Sequence, residues 1–340
     1  MRRQMEYQRI LLVQTAYLGD VILTTPLIRA IKQVFSQATL DVLVIPQTAG
    51  ALANNSHIDQ LILFDKRRQK WPAFKDVLRI LKARHYDLAI SPHSSFTTGL
   101  LLKLSGIPQR VGFKRLPIRY FLTQQVTMPQ ADFTIEKYLA LLQPFSNQSF
   151  PIQTELFPSP EDKELANQLM KKLDKGKPTI AIAPGSVWPT KRWPAEYYTQ
   201  LIASLKQPFN LVFIGSKDEQ YLCQQIIDQA GAEQAINLAG ELSILQSAAM
   251  IENCDLMICN DSGALHMANA MQTDVFAFFG PTVRSFGFFP FRPQDRVFEI
   301  ADLNCRPCGK HGHKECPEGH FRCMLEIKPE MVLQAIKERF

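Results

Sequence analysis

The feature that most restricts this chain is a repeated alternation of short apolar runs with polar turns and longer amphipathic stretches. "RILLVQ", "TLDVLVIP", "QLILFD" and "DLAISPH" are rich in Ile, Leu and Val and too short for helices. Runs of this kind, separated by helical patterns, are what strands buried on both faces of a parallel sheet look like. Residues 21–35 read as a helix after the first strand. "WPAFKDVLRILKARHY" places Phe74, Val77, Leu78 and Leu81 at helical spacing. "SFTTGLLLKLSG" reads as a helix stopped by Gly106 and Pro108, and "QRVGFKR" as a short strand with a basic loop.

"PFSNQSFPIQTELFPSPEDKE" then breaks the pattern with Pro, Ser and polar residues, as a linker does. Ser159, Pro160 and Asp162 open a capped helix after it. The second half repeats the logic of the first, with "TIAIAPGS", "NLVFIGSKDEQ", "AINLAG", "DLMICNDSG" and "DVFAFFGPT" as strands running into loops. The expected fold is α/β, with two Rossmann-like domains over 1–155 and 156–327, a terminal helix over 328–340, and a cleft between the domains.

Composition narrows the class. Of 340 residues, 46% are hydrophobic and 21% charged, which fits a globular protein with a substantial core. "MRRQMEYQ" is basic but leads into no signal-peptide core, and runs such as "VFAFF" are far shorter than a membrane span. A cytoplasmic protein, free or peripheral on a membrane, is expected. Residues 1–150 hold 19 Lys and Arg against 9 Asp and Glu, whereas 151–340 hold 19 against 23. A basic first half points to an anionic partner or to a solvated basic face. It shows neither an aromatic-interleaved RNA signature nor a helix-turn-helix arrangement, so a nucleic-acid partner is not expected.

Three loops of the second half carry candidate chemistry. In "APGSVWPTKRWP", Gly185 and Ser186 follow a strand, where backbone N–H groups meet an anion, and Lys191 and Arg192 lie close by. The alternative is an ordinary turn with two surface cations. In "FIGSKDEQ", Asp218 and Glu219 fit a ribose contact, or equally a helix N-terminal charge. In "CNDSGALHMANA", Asp261, Ser262 and Gly263 end a strand and open a helix, with His266 four residues after Ser262. Alone, that stretch is as well explained by a cap and a core histidine. Together the loops suit a nucleotide diphosphate, although neither G-x-G-x-x-G nor a P-loop motif is present.

The first half offers "TAYLGDVILTTPLIRAI", where Asp20 sits at a strand-to-helix junction as a cap, a catalytic base, or both. "ILLVQTAYLGDVILTTPLIRAIK", "PGSVWPTKRWP" and "NDSGALHMANAM…FFGPT", in this order, resemble the ADP-heptose:lipopolysaccharide heptosyltransferases of glycosyltransferase family 9. "SPHSSFTTGLLLKLSGIPQRVGFKR" is most similar to their heptosyltransferase II branch. The resemblance implies a GT-B fold of two Rossmann-like domains facing across a cleft, and inverting transfer of heptose to the lipopolysaccharide inner core, with neither metal nor cofactor. It also implies an ADP-heptose donor in the second domain, a lipid A–Kdo inner-core acceptor in the first, and work at the inner-membrane surface.

By position, the resemblance makes Asp20 the general base. Ser186 and Lys191 then contact the donor phosphates, with Gly185 beside them in the donor site, and Asp218 or Glu219 the ribose. Asp261, Ser262, Gly263 and His266 contact the donor sugar and diphosphate. Arg110, Lys114 and Arg115, with Lys103 and Arg119 nearby, become candidates for acceptor or membrane contact. No two aspartates lie two positions apart, so the Asp-x-Asp metal clasp of other glycosyltransferases is missing.

One segment departs from the resemblance. "CRPCGKHGHKECPEGHFRC" spaces Cys305, Cys308, Cys316 and Cys323 in a way that leaves zinc, a disulfide and reduced thiols all open. Three other readings compete with the heptosyltransferase: a GT-B enzyme using another nucleotide sugar, a sugar-nucleotide epimerase, and a nucleotide-sugar or lipid-core binding protein.

Overall fold

The apolar runs form two separate six-stranded parallel sheets. The structure is a computed structural model that describes residues 7–65 and 70–340, so the basic start over 1–6 lies outside the described residues. The chain divides into two compact units, one running to Phe157 and one from Pro158 to Phe340.

The first unit contains β1 (Arg9–Val13), β2 (Thr39–Val44), β3 (Gln60–Leu63), β4 (Leu88–Ser91), β5 (Gln109–Phe113) and β6 (Gln124–Val126). They pair in the order β3-β2-β1-β4-β5-β6. The second unit contains β7 (Thr179–Ala183), β8 (Asn210–Phe213), β9 (Ile236–Asn237), β10 (Leu256–Asn260), β11 (Val275–Phe279) and β12 (Arg296–Glu299). Their order is β12-β11-β10-β7-β8-β9, the same winding as the first sheet. Each sheet therefore reverses direction once, between β1 and β4 and between β7 and β10. Loops leaving the strand ends on either side of such a reversal diverge and open a crevice, the usual ligand position in doubly wound folds.

Burial explains the central strands. Ile10, Leu11, Leu12 and Val13 are all inaccessible, as are Leu256, Met257, Ile258 and Cys259. Strands covered on both faces show no alternation, only continuous apolar runs. The two strands that the sequence did not reveal, β6 and β12, are both edges. "QQV" has one buried residue of three, and "RVFE" has none fully buried. An edge strand owes its place to backbone pairing more than to burial, so its sequence lacks the apolar signature.

Local differences have local causes. The helix expected over 21–35 begins earlier and is split into Leu18–Ile22 and Thr25–Val34. Pro26 lies in the first turn of the second piece, where its missing N–H costs nothing, whereas inside one continuous helix it would break the ladder. Ser159 caps its helix as its spacing implies, accepting from Asp162 N while the Asp162 carboxylate accepts from Ser159 N. The C-terminal helix Pro329–Arg339 belongs to the core of the second unit, through Val332, Ala335 and Ile336.

Trp193 anchors the region below the second crevice. It is 1% exposed, stacks on Phe278 at 4.3 Å between ring centres, and donates from Nε1 to the Ile327 carbonyl. Truncating such a residue to Ala typically costs about 3–5 kcal/mol.

Candidate functional site

In the second unit, the loops after β7 and β10 are tied together by Asn260, the last residue of β10. Its amide nitrogen donates to the carbonyls of Pro184 and Gly185, and its oxygen accepts from Trp193 N. One buried side chain thus holds both lips of the reversal point and the entry to the next helix.

Lys191 and Asp261 meet above it. Lys191 Nζ is 2.5 Å from Asp261 Oδ2, and both side chains are nearly buried. Thr282, just after β11, donates its hydroxyl to the same carboxylate oxygen at 2.8 Å. His266 lies in the helix Gly263–Ala270, 4% exposed. Burial pushes its imidazole down to about 4, with Lys191 reinforcing the shift and Asp261 opposing it. His266 is therefore neutral at pH 7, with one ring nitrogen to donate and one to accept.

Ser262 precedes that helix with extended backbone, and its side chain makes no capping bond. Asp261 faces Lys191 and Thr282 instead of the helix. The simple capping explanation of "NDSG" therefore does not describe either side chain. What results is a nearly buried lysine–carboxylate pair at the start of the helix Gly263–Ala270, whose first N–H groups favour an anion.

Gly185 and Glu219 are also neighbours. A Cβ on Gly185 would lie 1.9 Å from Glu219 Oε1, so glycine is required for the loops to approach this closely. Glu219 accepts from the backbone and hydroxyl of Ser216, which fixes its carboxylate. Asp218 is exposed and makes no hydrogen bond or ion pair among the described residues. Ser186 is 5% exposed, and its carbonyl accepts from Arg192 Nε. That bond turns Arg192 onto the loop backbone.

In the first unit, Asp20 lies inside the helix Leu18–Ile22, in its first turn, while Tyr17 takes the capping position. Asp20 is thus no N-cap. Its Oδ1 accepts from the buried Tyr138 hydroxyl at 3.0 Å. Burial of the phenol, and then the Asp20 carboxylate, push the Tyr138 titration upward, so the phenol stays a donor. Across the β1/β4 reversal, His93 Nδ1 is 3.1 Å from Thr15 Oγ1 and 3.2 Å from Thr98 Oγ1. Ser95 caps the helix Phe96–Leu104 and donates to the Thr98 hydroxyl.

The basic residues of this unit separate. Lys114 and Arg115 are exposed. Arg110 differs from them: its guanidinium donates to the Phe121 and Ile107 carbonyls and is partly desolvated. It braces a loop through these two carbonyls.

The cysteine segment packs against the Lys191 turn. Thr190 N donates to the His313 carbonyl, and His313 N donates to Thr190 Oγ1 at 2.7 Å. Trp188 lies nearly parallel to His311, and Gly312 fits against Trp188 and Lys191 with no space for a Cβ. Cys305, Cys308, Cys316 and Cys323 are free thiols. Among the described residues, no three His, Cys, Asp or Glu side chains are grouped as a metal ion would need.

The structure thus brings together Lys191, Asp261 and His266, and separately Gly185 and Glu219. It adds Asn260, Thr282 and Tyr138, which sequence reasoning had not assigned a role. Asn260 and Thr282 stand inside motifs already singled out, whereas nothing near Tyr138 marks it as the partner of a residue 118 positions away.

Comparison with known proteins gives the chain's family and the relatives of its fold. Residues 75–320 match the model of glycosyltransferase family 9 (heptosyltransferase). The chain is 28% identical over 328 residues to lipooligosaccharide heptosyltransferase 2 of Campylobacter jejuni subsp. jejuni serotype O:6, covering 95% of this chain and 96% of that one. Among solved structures, a glycosyltransferase family 9 protein from Veillonella parvula DSM 2008 superposes with a TM-score of 0.83 at 24% identity, over 98% and 97% of the two chains. ADP-heptose lps heptosyltransferase II of E. coli gives 0.78 at 23% identity, over 97% and 98%. Both structures are similar in fold to the two Rossmann-like units described above.

Proposed function

Because this chain belongs to glycosyltransferase family 9, the heptosyltransferases, we propose that it transfers heptose from ADP-heptose to the inner core of lipopolysaccharide, with inversion and with Asp20 as the base. The observation that carries the reading is the buried Lys191 ammonium held by Asp261 at the β7/β10 reversal, beside the helix that opens at Gly263. A nucleoside diphosphate there meets a fixed cation and backbone N–H groups without rearranging water. Such preorganised charge is the largest common source of catalysis for an anionic leaving group.

The step is a single displacement. The acceptor hydroxyl gives its proton to the Asp20 carboxylate, and its oxygen attacks the anomeric carbon as the bond to the β-phosphate oxygen breaks. Negative charge grows on the diphosphate, where Lys191 stabilises it. Lys191 and the helix N–H groups supply the positive charge that a metal supplies in other glycosyltransferases, so the transfer proceeds without one. Tyr138 donates to Asp20 Oδ1 and so restricts the carboxylate's rotation. Neutral His266 supplies a donor and an acceptor for sugar hydroxyls without adding charge. Glu219 accepts from the ribose hydroxyls.

The direct test is transfer from ADP-heptose to Kdo₂-lipid A, with and without a first heptose attached, in EDTA. Wild type and Asp20→Ala are compared. Transfer that needs the first heptose, persists in EDTA and collapses in the variant is expected. Tight ADP binding with transfer to neither acceptor would overturn the substrate assignment.

A further inference from the structure

Arg306 carries a cation into the interior of the second unit. Its side chain is 2% exposed, and its Nη2 lies 2.9 Å from Glu299 Oε2. The guanidinium directs its other bonds to backbone carbonyls. Nη2 donates to Thr282 at 2.8 Å and to Phe279 at 3.3 Å, and Nη1 donates to Ile300. Phe279 ends β11, Thr282 lies in the loop after it, and Ile300 follows β12. A planar fork of donors holds such a set of acceptors in one geometry, which a flexible ammonium does not.

Thr282 links this guanidinium to the site. Its hydroxyl donates to Asp261 Oδ2, the oxygen that also holds Lys191 Nζ. The path from Arg306 to the ion pair therefore crosses one backbone carbonyl and one side-chain hydroxyl. The same stretch of chain grips the other member of the pair. Cys308 N donates to the Pro281 carbonyl, next to Thr282, and His313 N donates to Thr190 Oγ1, next to Lys191. A Cβ on Gly312 would lie 2.5 Å from Trp188 Cβ and 3.1 Å from Lys191 Cγ. One short stretch, 306–313, thus touches both the loop that carries Thr282 and the turn that carries Lys191.

We infer that Arg306 is a positioning residue for the Lys191–Asp261 pair and acts through Thr282. The inference rests on the reading of Lys191 as the cation that meets the donor diphosphate. An ammonium has three N–H donors, and Lys191 gives one to Asp261. Where the other two point depends on where that carboxylate is held. The Thr282 hydroxyl restricts its rotation by bonding the oxygen that Lys191 shares. Arg306 fixes the hydroxyl in turn, because it holds the Thr282 carbonyl and the end of β11 against the end of β12. A charge set in place before the ligand arrives stabilises a leaving group more than one that must reorganise.

The test titrates ADP and adenosine into wild type, Arg306→Met, Thr282→Val and Thr282→Ser, and into Arg306→Met combined with Lys191→Met. Arg306→Met and Thr282→Val should each weaken ADP binding roughly threefold to tenfold, the contribution of one hydrogen bond, and leave adenosine within about twofold. Adenosine has no phosphate and does not report on Lys191. Thr282→Ser keeps the hydroxyl and should restore ADP affinity. In the Lys191→Met background, Arg306→Met should cost no further ADP affinity, since the group it positions is gone. A merely structural role would weaken adenosine as much as ADP, or add in full to the Lys191→Met loss, and either result would overturn the inference. So would unchanged ADP affinity in Thr282→Val. Thermal melts report on folding, and if Arg306→Met does not fold, Thr282→Val against Thr282→Ser decides the matter. Unchanged ADP affinity in Lys191→Met alone would instead overturn the diphosphate reading itself, so the two failures are told apart.

Discussion

Lys191 Nζ and Asp261 Oδ2, seventy residues apart in sequence, stand 2.5 Å apart at the strand ends of the second sheet. The pair is nearly buried, and Thr282 completes the carboxylate's hydrogen bonding. Removing one member of such a pair is far more damaging than removing both, since a lone buried charge remains. Lys191→Met should therefore lower stability by about 3–5 kcal/mol. It should also weaken ADP binding roughly 10- to 150-fold, the worth of a charge-assisted hydrogen bond. Lys191→Met/Asp261→Leu should regain stability without regaining ADP affinity. Denaturant melts and ADP titration check both parts, and recovered ADP binding in the double variant would contradict the role given to Lys191.

His266 makes stability depend on pH. In the unfolded chain its imidazole takes up a proton near 6.5, but in the folded protein burial lowers this to about 4. Acid therefore favours the unfolded chain. The contribution is complete above pH 6.5 and is lost as pH falls from 6.5 towards 4, on the order of 3 kcal/mol in all. Urea melts of wild type and His266→Asn between pH 7 and 4.5 should converge as pH falls. Parallel curves would mean that the imidazole is not held neutral.

Asp20 and Tyr138 should separate chemistry from positioning. Asp20→Asn should lower kcat by about 10²- to 10⁴-fold with ADP affinity unchanged. Tyr138→Phe removes one hydrogen bond and should cost only about threefold to tenfold. It should also move the acidic limb of the rate profile to higher pH, because the carboxylate loses a bond that favours its charged form. A Tyr138→Phe profile unchanged in position would leave Tyr138 a purely structural residue.

Gly185 and Glu219 should be coupled. A methyl group at 185 collides with the Glu219 carboxylate, so Gly185→Ala should displace it from Ser216 and weaken ADP binding more than fivefold, about 1 kcal/mol. In a Glu219→Ala background the same substitution should cost much less. Additive losses in the double variant would show that the close approach has no bearing on the ligand.

The sequence by itself determined the strands that are buried on both faces and the division of the chain into two similar α/β units. Each of these is written in local pattern: apolar runs such as "RILLV" and "LMICN", the Ser159 cap, and the glycines after strands. Burial on both faces leaves a mark in neighbouring residues, so it can be read along the chain. The edge strands β6 and β12 left no such mark, because pairing along one side asks little of side chains.

Tertiary structure alone decided which side chains serve each other. Asp261 is read along the chain as a cap, and it becomes the counter-ion of Lys191 because β7 and β10 are neighbours across the reversal. Asp20 is read as a cap or a base, and it accepts from Tyr138 because the helix Thr134–Leu139 lies against Thr25–Val34. Arg110 is read as a candidate for acceptor or membrane contact, and its guanidinium also donates to two carbonyls that only the folded loop presents. Local pattern fixes where a residue sits on its own strand or helix. Its partner is fixed by strand order and packing, which depend on the whole fold.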